Sequence, residues 1–195
     1  MNISIIVIFL QAFYSYDTNY GKALSVGRLK EIFYELKCIQ YGNFKLASGG
    51  TSNYKIICDP LFENSESREI IGTLGYKMLK GIENGKYYEI VGVVTGGYEF
   101  AKLVAEKSGR KAVGINPHNG EVIGKVVKED LCYFEDVVTK GGSILKCRNI
   151  LGKNDGKDNH SISIVDRQEG GEENLRKNGI RLYSILTKSH LGIAL

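Results

Sequence analysis

Leu131-Cys132-Tyr133-Phe134-Glu135-Asp136-Val137-Val138-Thr139-Lys140-Gly141-Gly142-Ser143 is an apolar run that stops at two adjacent carboxylates, followed by a short loop and two glycines. The spacing predicts a buried strand over 131–135, a turn, and a helix opening near Ser143 with Ile144, Leu145 and Leu151 on its apolar face. A helix start presents unpaired backbone N–H groups and a positive dipole end, and glycine lets an anion reach them with no Cβ in the way. Glu135 and Asp136, as carboxylates, only accept hydrogen bonds, which suits a ribose diol or a metal bound to one. This order of parts is what a sugar phosphate needs. A plain glycine-rich turn with an acidic cap is the alternative for this run taken alone.

Two further stretches end strands in a similar way. Ile90 to Val94 is a continuous apolar run, as in a central parallel strand, and it stops at Thr95-Gly96-Gly97 before a helix carrying Phe100, Ala101, Leu103 and Val104. That turn is either a second phosphate contact or a glycine turn required by positive φ. Val165-Asp166-Arg167-Gln168-Glu169-Gly170-Gly171 sets an arginine just past a strand over Ser161 to Val165. Arg167 is there a surface ion-pair partner or a bidentate fork for a substrate carboxylate.

The remaining pattern completes an α/β alternation. A helix is expected from Lys22 to Lys37, closed by Gly42, and another from Asn64 or Ser65 through Met78, with Gly72 and Gly75 weakening it. Phe44 to Tyr54 reads as an edge hairpin leading to a strand over Lys55 to Cys58. Lys111 to Ile115 and Leu182 to Leu186 are further strands, and Gly170 to Asn178 a short helix. Such alternation makes a doubly wound parallel sheet flanked by helices, with the ligand site beyond the carboxyl ends of the strands.

At 195 residues, 43% hydrophobic and 25% charged, the chain suits one domain with one well-filled core. A net charge of +4 without a basic run argues against a nucleic-acid groove. Cys38, Cys58, Cys132 and Cys147 are scattered, with no metal-ligand spacing, and read as reduced core thiols of a cytoplasmic protein. The apolar run Ile3 to Leu10 lacks the basic start of a signal peptide and is too short to span a membrane. It is expected to pack on the domain or on a partner subunit, unless the native start lies downstream.

Glu135 to Ser143 resembles the phosphoribosyl pyrophosphate (PRPP) motif of type I phosphoribosyltransferases, and it is not a Walker loop. Together with Phe44-Lys45-Leu46-Ala47-Ser48-Gly49, Gly92-Val93-Val94-Thr95-Gly96-Gly97 and the Val165 to Gly171 stretch, it is similar to orotate phosphoribosyltransferases in order and spacing, from about Ala23 to Leu186. The resemblance implies a single domain over 21–195 with a small N-terminal hood at about 21–62, preceded by an extension over 1–20. It implies that Thr95, Gly96 and Gly97 meet the pyrophosphate. Glu135 and Asp136 would hold the ribose hydroxyls, and the PRPP contact would continue through Val137, Val138, Thr139, Lys140, Gly141, Gly142 and Ser143, with the 5′-phosphate on Thr139 to Ser143. Thr139 and Arg167 would meet orotate, Arg167 through its carboxylate. Mg²⁺ would arrive with PRPP near Glu135 and Asp136, with no direct protein metal site, and the chain would form a homodimer.

The chain departs from the family pattern most strongly in one loop. Where such enzymes carry a mobile Arg-Lys-x-x-Lys-x-His-Gly loop, this chain has Gly114-Ile115-Asn116-Pro117-His118-Asn119-Gly120-Glu121. Only His118 matches, as the remaining catalytic candidate, with Lys111 and Lys125 flanking. Ala47 and Glu99 also stand where some members have Lys and Pro. The chain is then either an orotate phosphoribosyltransferase, weakened by its loop, or a paralogue that binds PRPP or a nucleotide as a regulatory or accessory protein. A cation introduced by Ile115→Lys is expected to restore part of the turnover. Transfer to another base is disfavoured by Arg167.

Overall fold

Ser25 accepts the Arg28 backbone N–H at 3.0 Å and caps α1 (Val26–Glu35), which buries Leu29, Ile32 and Phe33. The computed structural model describes residues 25–45, 51–127, 130–152 and 159–193. The expectations for residues 1–20, for Leu46 to Gly50 and for the polar segment 153–158 lie outside them. The helix ends at Glu35, close to the expected Lys37, but Gly42 does not close it. Lys37, at φ 54°, turns the chain, and Gly42 lies inside β1 (Ile39–Lys45). This strand pairs antiparallel with β2 (Thr51–Ile56), with an irregularity between Tyr41 and Phe44, so the second strand of the hairpin begins before Lys55.

A short helix not anticipated from the sequence follows, α2 (Asp59–Glu63), with Pro60 in its first turn. Asn64 then caps α3 (Ser65–Glu83) by accepting the Ser67 N–H at 2.9 Å. After β3 (Glu89–Val93) comes α4 (Gly96–Ser108), packed along α3. This packing explains the helix-interior glycines: a Cβ on Gly75 would stand 2.6 Å from the Phe100 ring and 2.7 Å from Val104. The propensity cost of glycine, about 1 kcal/mol, is accepted for close helix approach.

The chain continues through β4 (Ala112–Ile115), β5 (Val122–Ile123), β6 (Leu131–Val138), α5 (Gly142–Ile150), β7 (Asn159–Asp166), α6 (Gly171–Lys177) and β8 (Ile180–Thr187). The main sheet has the order β5-β4-β3-β6-β7-β8, parallel except for β5, which runs antiparallel on the outer edge of β4. Alternate strand residues serve two cores. Ile90, Cys132, Phe134, Ile162 and Ile164 pack with α1, α3 and α4, whereas Val91, Val93, Leu131 and Tyr133 pack with Ile144 and Cys147 of α5 and Leu175 of α6. Helices therefore cover both faces, as expected.

From β3 the chain steps outward to β4 and then returns to β6 on the other side of β3. The strand order reverses between β3 and β6, and a crevice at such a reversal is where open α/β sheets hold ligands. The strands ending there carry Thr95-Gly96-Gly97 and Glu135 to Ser143. All four cysteines are free and buried, and among the described residues no helix is long and apolar enough to cross a membrane.

Candidate active site

The strand that carries the two carboxylates is longer than its apolar run suggests. β6 stays paired with β7 out to Val138 opposite Asp166, so Glu135 and Asp136 lie within the strand and not at its end. Asp136 is half-buried and faces the start of α4, where a Cβ on Gly96 would run into its carboxyl group. Gly97 is equally constrained, since a Cβ there would stand 2.8 Å from the Glu135 Cα. Neither glycine has positive φ. Close approach of the α4 start to β6, and not turn geometry, is what requires them.

Glu135 is 8% exposed, and burial, then the Asp136 charge and a hydrogen bond to Asp136, push its carboxyl well above the ordinary glutamate range. The folded protein thus holds the Glu135 proton to higher pH than the unfolded chain does. The stability of that arrangement is present below the ordinary glutamate pKa and is lost as pH rises through the raised folded value. Glu135→Gln, which keeps a donor toward Asp136, is expected to change stability little near pH 4 and to raise it at pH 8. Thermal melts of both proteins at the two pH values check this, and an equal effect at both would contradict it.

Gly141, at φ 73°, opens α5 without a side-chain cap. The Leu145 N–H reaches the Gly141 carbonyl at 3.2 Å, which leaves the earlier N–H groups of Gly142, Ser143 and Ile144 as the unpaired start of the helix. The loop before it is held from the side. A Cβ on Gly141 would meet Leu175 of α6 at 2.6 Å, one on Gly171 would meet the Thr139 carbonyl at 2.5 Å, and the Asn174 side chain donates to the Lys140 carbonyl at 2.7 Å. The Arg167 N–H also donates to the Val138 carbonyl at 2.9 Å. The turn after β7 and the loop after β6 are one packed unit.

Arg167 is 5% exposed, so it is not a surface arginine. Its Nε donates to Glu169 Oε1 and to the Tyr54 hydroxyl, both at 3.0 Å, its Nη2 lies 2.8 Å from the same Oε1 and 3.1 Å from Ser52 Oγ, and its guanidinium lies 4.3 Å from the Tyr54 ring centre. Burial pushes the Tyr54 phenol above its ordinary value, so it stays protonated and donates to Glu169 Oε1 at 3.0 Å. Ser52, Tyr54 and Glu169 were not expected as site residues. The alternation that puts Ser52 and Tyr54 on one face of β2 was legible, but Thr51-Ser52-Asn53 reads as a turn cluster.

His118 stands apart from this unit. It is exposed at the tip of the β4–β5 hairpin, where its N–H donates to Asn116 Oδ1 at 2.9 Å and the Glu121 N–H donates to Asn119 Oδ1 at 3.0 Å. The Asn116 N–H closes the hairpin on the Glu121 carbonyl at 2.9 Å. Ile115, proposed above for a new cation, is fully buried against Val93 and Tyr133. A lysine there would enter the core, so that choice is corrected: the exposed Glu121 is the position for a cation.

Glycine turns and paired carboxylates brought to the switch point of a doubly wound parallel sheet are the build of a type I phosphoribosyltransferase. No family model matches the chain. An orotate phosphoribosyltransferase of Picrophilus torridus is 32% identical over 170 residues, 84% of this chain and 99% of that one. One from Sulfolobus acidocaldarius is 34% identical over 161 residues, 80% of each chain. The crystal structure of orotate phosphoribosyltransferase from Aeropyrum pernix matches with a TM-score of 0.73 at 27% identity, over 84% of this chain and 96% of that one. The chain belongs to the orotate phosphoribosyltransferase family.

Proposed function

We propose that the protein transfers phosphoribosyl from PRPP to orotate, giving orotidine 5′-phosphate and pyrophosphate in pyrimidine nucleotide synthesis. The observation that carries this is the convergence of the Thr95–Gly97 turn, the Glu135–Ser143 stretch and a buried Arg167 on one rim, in a chain of this family. Nothing in the fold or among the relatives favours the alternative of an accessory protein.

In the reaction a ring nitrogen of orotate forms a bond to C1′ of PRPP as the bond from C1′ to the diphosphate oxygen breaks. Positive charge grows on the sugar and negative charge on the leaving group, so positioning and electrostatic stabilisation do most of the work. In this reading the N–H groups at the start of α5 take the 5′-phosphate, with Thr139 and Lys140 shaping the loop. Asp136, with Glu135 behind it, accepts from the ribose hydroxyls, and Thr95 to Gly97 border the diphosphate. Arg167 receives the orotate carboxylate, with Thr139 beside it.

Two adjacent carboxylates are hard oxygen donors of the kind Mg²⁺ takes, and among the described residues no group of three or more His, Cys, Asp or Glu side chains could hold a metal. The donor set fits a cation carried by the diphosphate. Bound Mg²⁺ would neutralise charge on the leaving group.

The same reading makes the protein a cytoplasmic homodimer, supported by its free thiols and by exposed Val122, Ile123 and Val127 beside the sheet edge. Pyrophosphate release that requires both orotate and PRPP tests the activity. Arg167→Ala is expected to raise the orotate KM by about 10-fold to 150-fold, the worth of a charge-assisted pair, with little change for PRPP. Uracil, lacking the carboxylate, should be a poor substrate. Equal use of uracil and orotate would overturn the assignment.

A further inference from the structure

Arg167 already holds a carboxylate. Glu169 Oε1 alone accepts from Nε and Nη2 and also from the Tyr54 hydroxyl, while the guanidinium is fixed from above by the Tyr54 ring and from the side by Ser52. The two partners are not equally anchored. Arg167 is buried, with its backbone tied to Val138, whereas the Glu169 side chain is 26% exposed. Glu169 also sits in a turn between Gln168 at φ 56° and Gly170 at φ 86°, before α6 begins, so no helix restrains it. A buried guanidinium without a counter-charge is costly, and a monodentate carboxylate on a turn is the partner most easily exchanged.

We propose that Glu169 is an internal stand-in for the substrate's carboxylate: it neutralises Arg167 in the empty site and swings outward when orotate enters, making it a specificity-determining residue. The proposal rests on the reading that Arg167 receives the orotate carboxylate. Exchange of one carboxylate for another keeps the buried cation paired throughout. A base without a carboxylate gains nothing from displacing Glu169, and displacing it would strand the cation. Discrimination against neutral bases therefore comes from the occupant as well as from the fork.

Glu169→Gln keeps the size and an acceptor but removes the competing charge. The orotate KM is expected to fall roughly three- to tenfold, the difference between a charge-assisted and a neutral competitor, with the PRPP KM unchanged. Tyr54→Phe removes the hydroxyl that steadies Glu169 while keeping the ring, and should move the orotate KM the same way by less. It also provides the test if Glu169→Gln fails to fold. An orotate KM that is unchanged or raised in both variants overturns the proposal. Arg167→Ala, run beside them, separates the two ideas. If it selectively weakens orotate while the other variants do not strengthen it, only the role of Glu169 fails. If it does not affect orotate, the carboxylate assignment itself fails.

Discussion

Asp136→Asn combined with Thr139→Ala is expected to weaken PRPP binding by about 10²-fold to 10³-fold in calorimetric titration with Mg²⁺, while leaving the fold intact. Removing one charge-assisted hydrogen bond costs about 1.5–3 kcal/mol, and the asparagine gives up the charge on the more exposed of the two carboxylates. Asp136 is the better target because Glu135 is buried while Asp136 is half-buried, so the open carboxylate at the crevice is Asp136. Thr139 lies at the other side of the same loop, where its carbonyl packs against Gly171 and its side chain is half-buried. The double variant removes polar groups without opening a core cavity, so its melting temperature should stay near that of the parent. Unchanged PRPP affinity would place the sugar phosphate elsewhere.

The legible parts of the site were those encoded in contiguous residues. A strand, a turn and a helix start share one run from Leu131 to Ser143, so periodicity and glycine placement alone mark that loop. The strand end is not legible locally, because Val137 and Val138 follow the carboxylates and continue pairing with β7, a partner strand the local sequence does not contain. Gly72 and Gly75 looked like flaws in a helix for the same kind of reason, since Phe100, Leu103 and Val104, which they admit, belong to another helix. Arg167 was singled out, but its neighbours Ser52 and Tyr54 come from a hairpin far away in the chain. Glu169 was in plain view two residues on, and its pairing depends on the positive φ of Gln168, which no propensity marks.

Turnover well below that of a relative carrying the basic loop, with ordinary PRPP affinity, is the outcome expected from the hairpin between β4 and β5. Cationic donors aimed at a departing pyrophosphate strengthen their hold as charge develops, so their absence lowers turnover more than ground-state binding. Loss of one such donor costs about 10²–10³ in rate in other enzymes. Here the segment is a short turn pinned by Asn116 and Asn119, with an acid, Glu121, exposed at its base. Glu121→Lys replaces that acid by a cation while its backbone bonds to Asn116 and Asn119 remain in place, and should recover part of the rate, about tenfold, without tightening PRPP. Steady-state kinetics of both proteins and of the full-loop relative, beside a direct PRPP titration, measure each quantity separately. Full activity in the unmodified protein would instead mean that His118, Lys125 or a residue of a second subunit supplies the missing charge. His118→Ala and Lys125→Ala then distinguish these sources, because only the side chain in use will lower turnover while PRPP affinity holds.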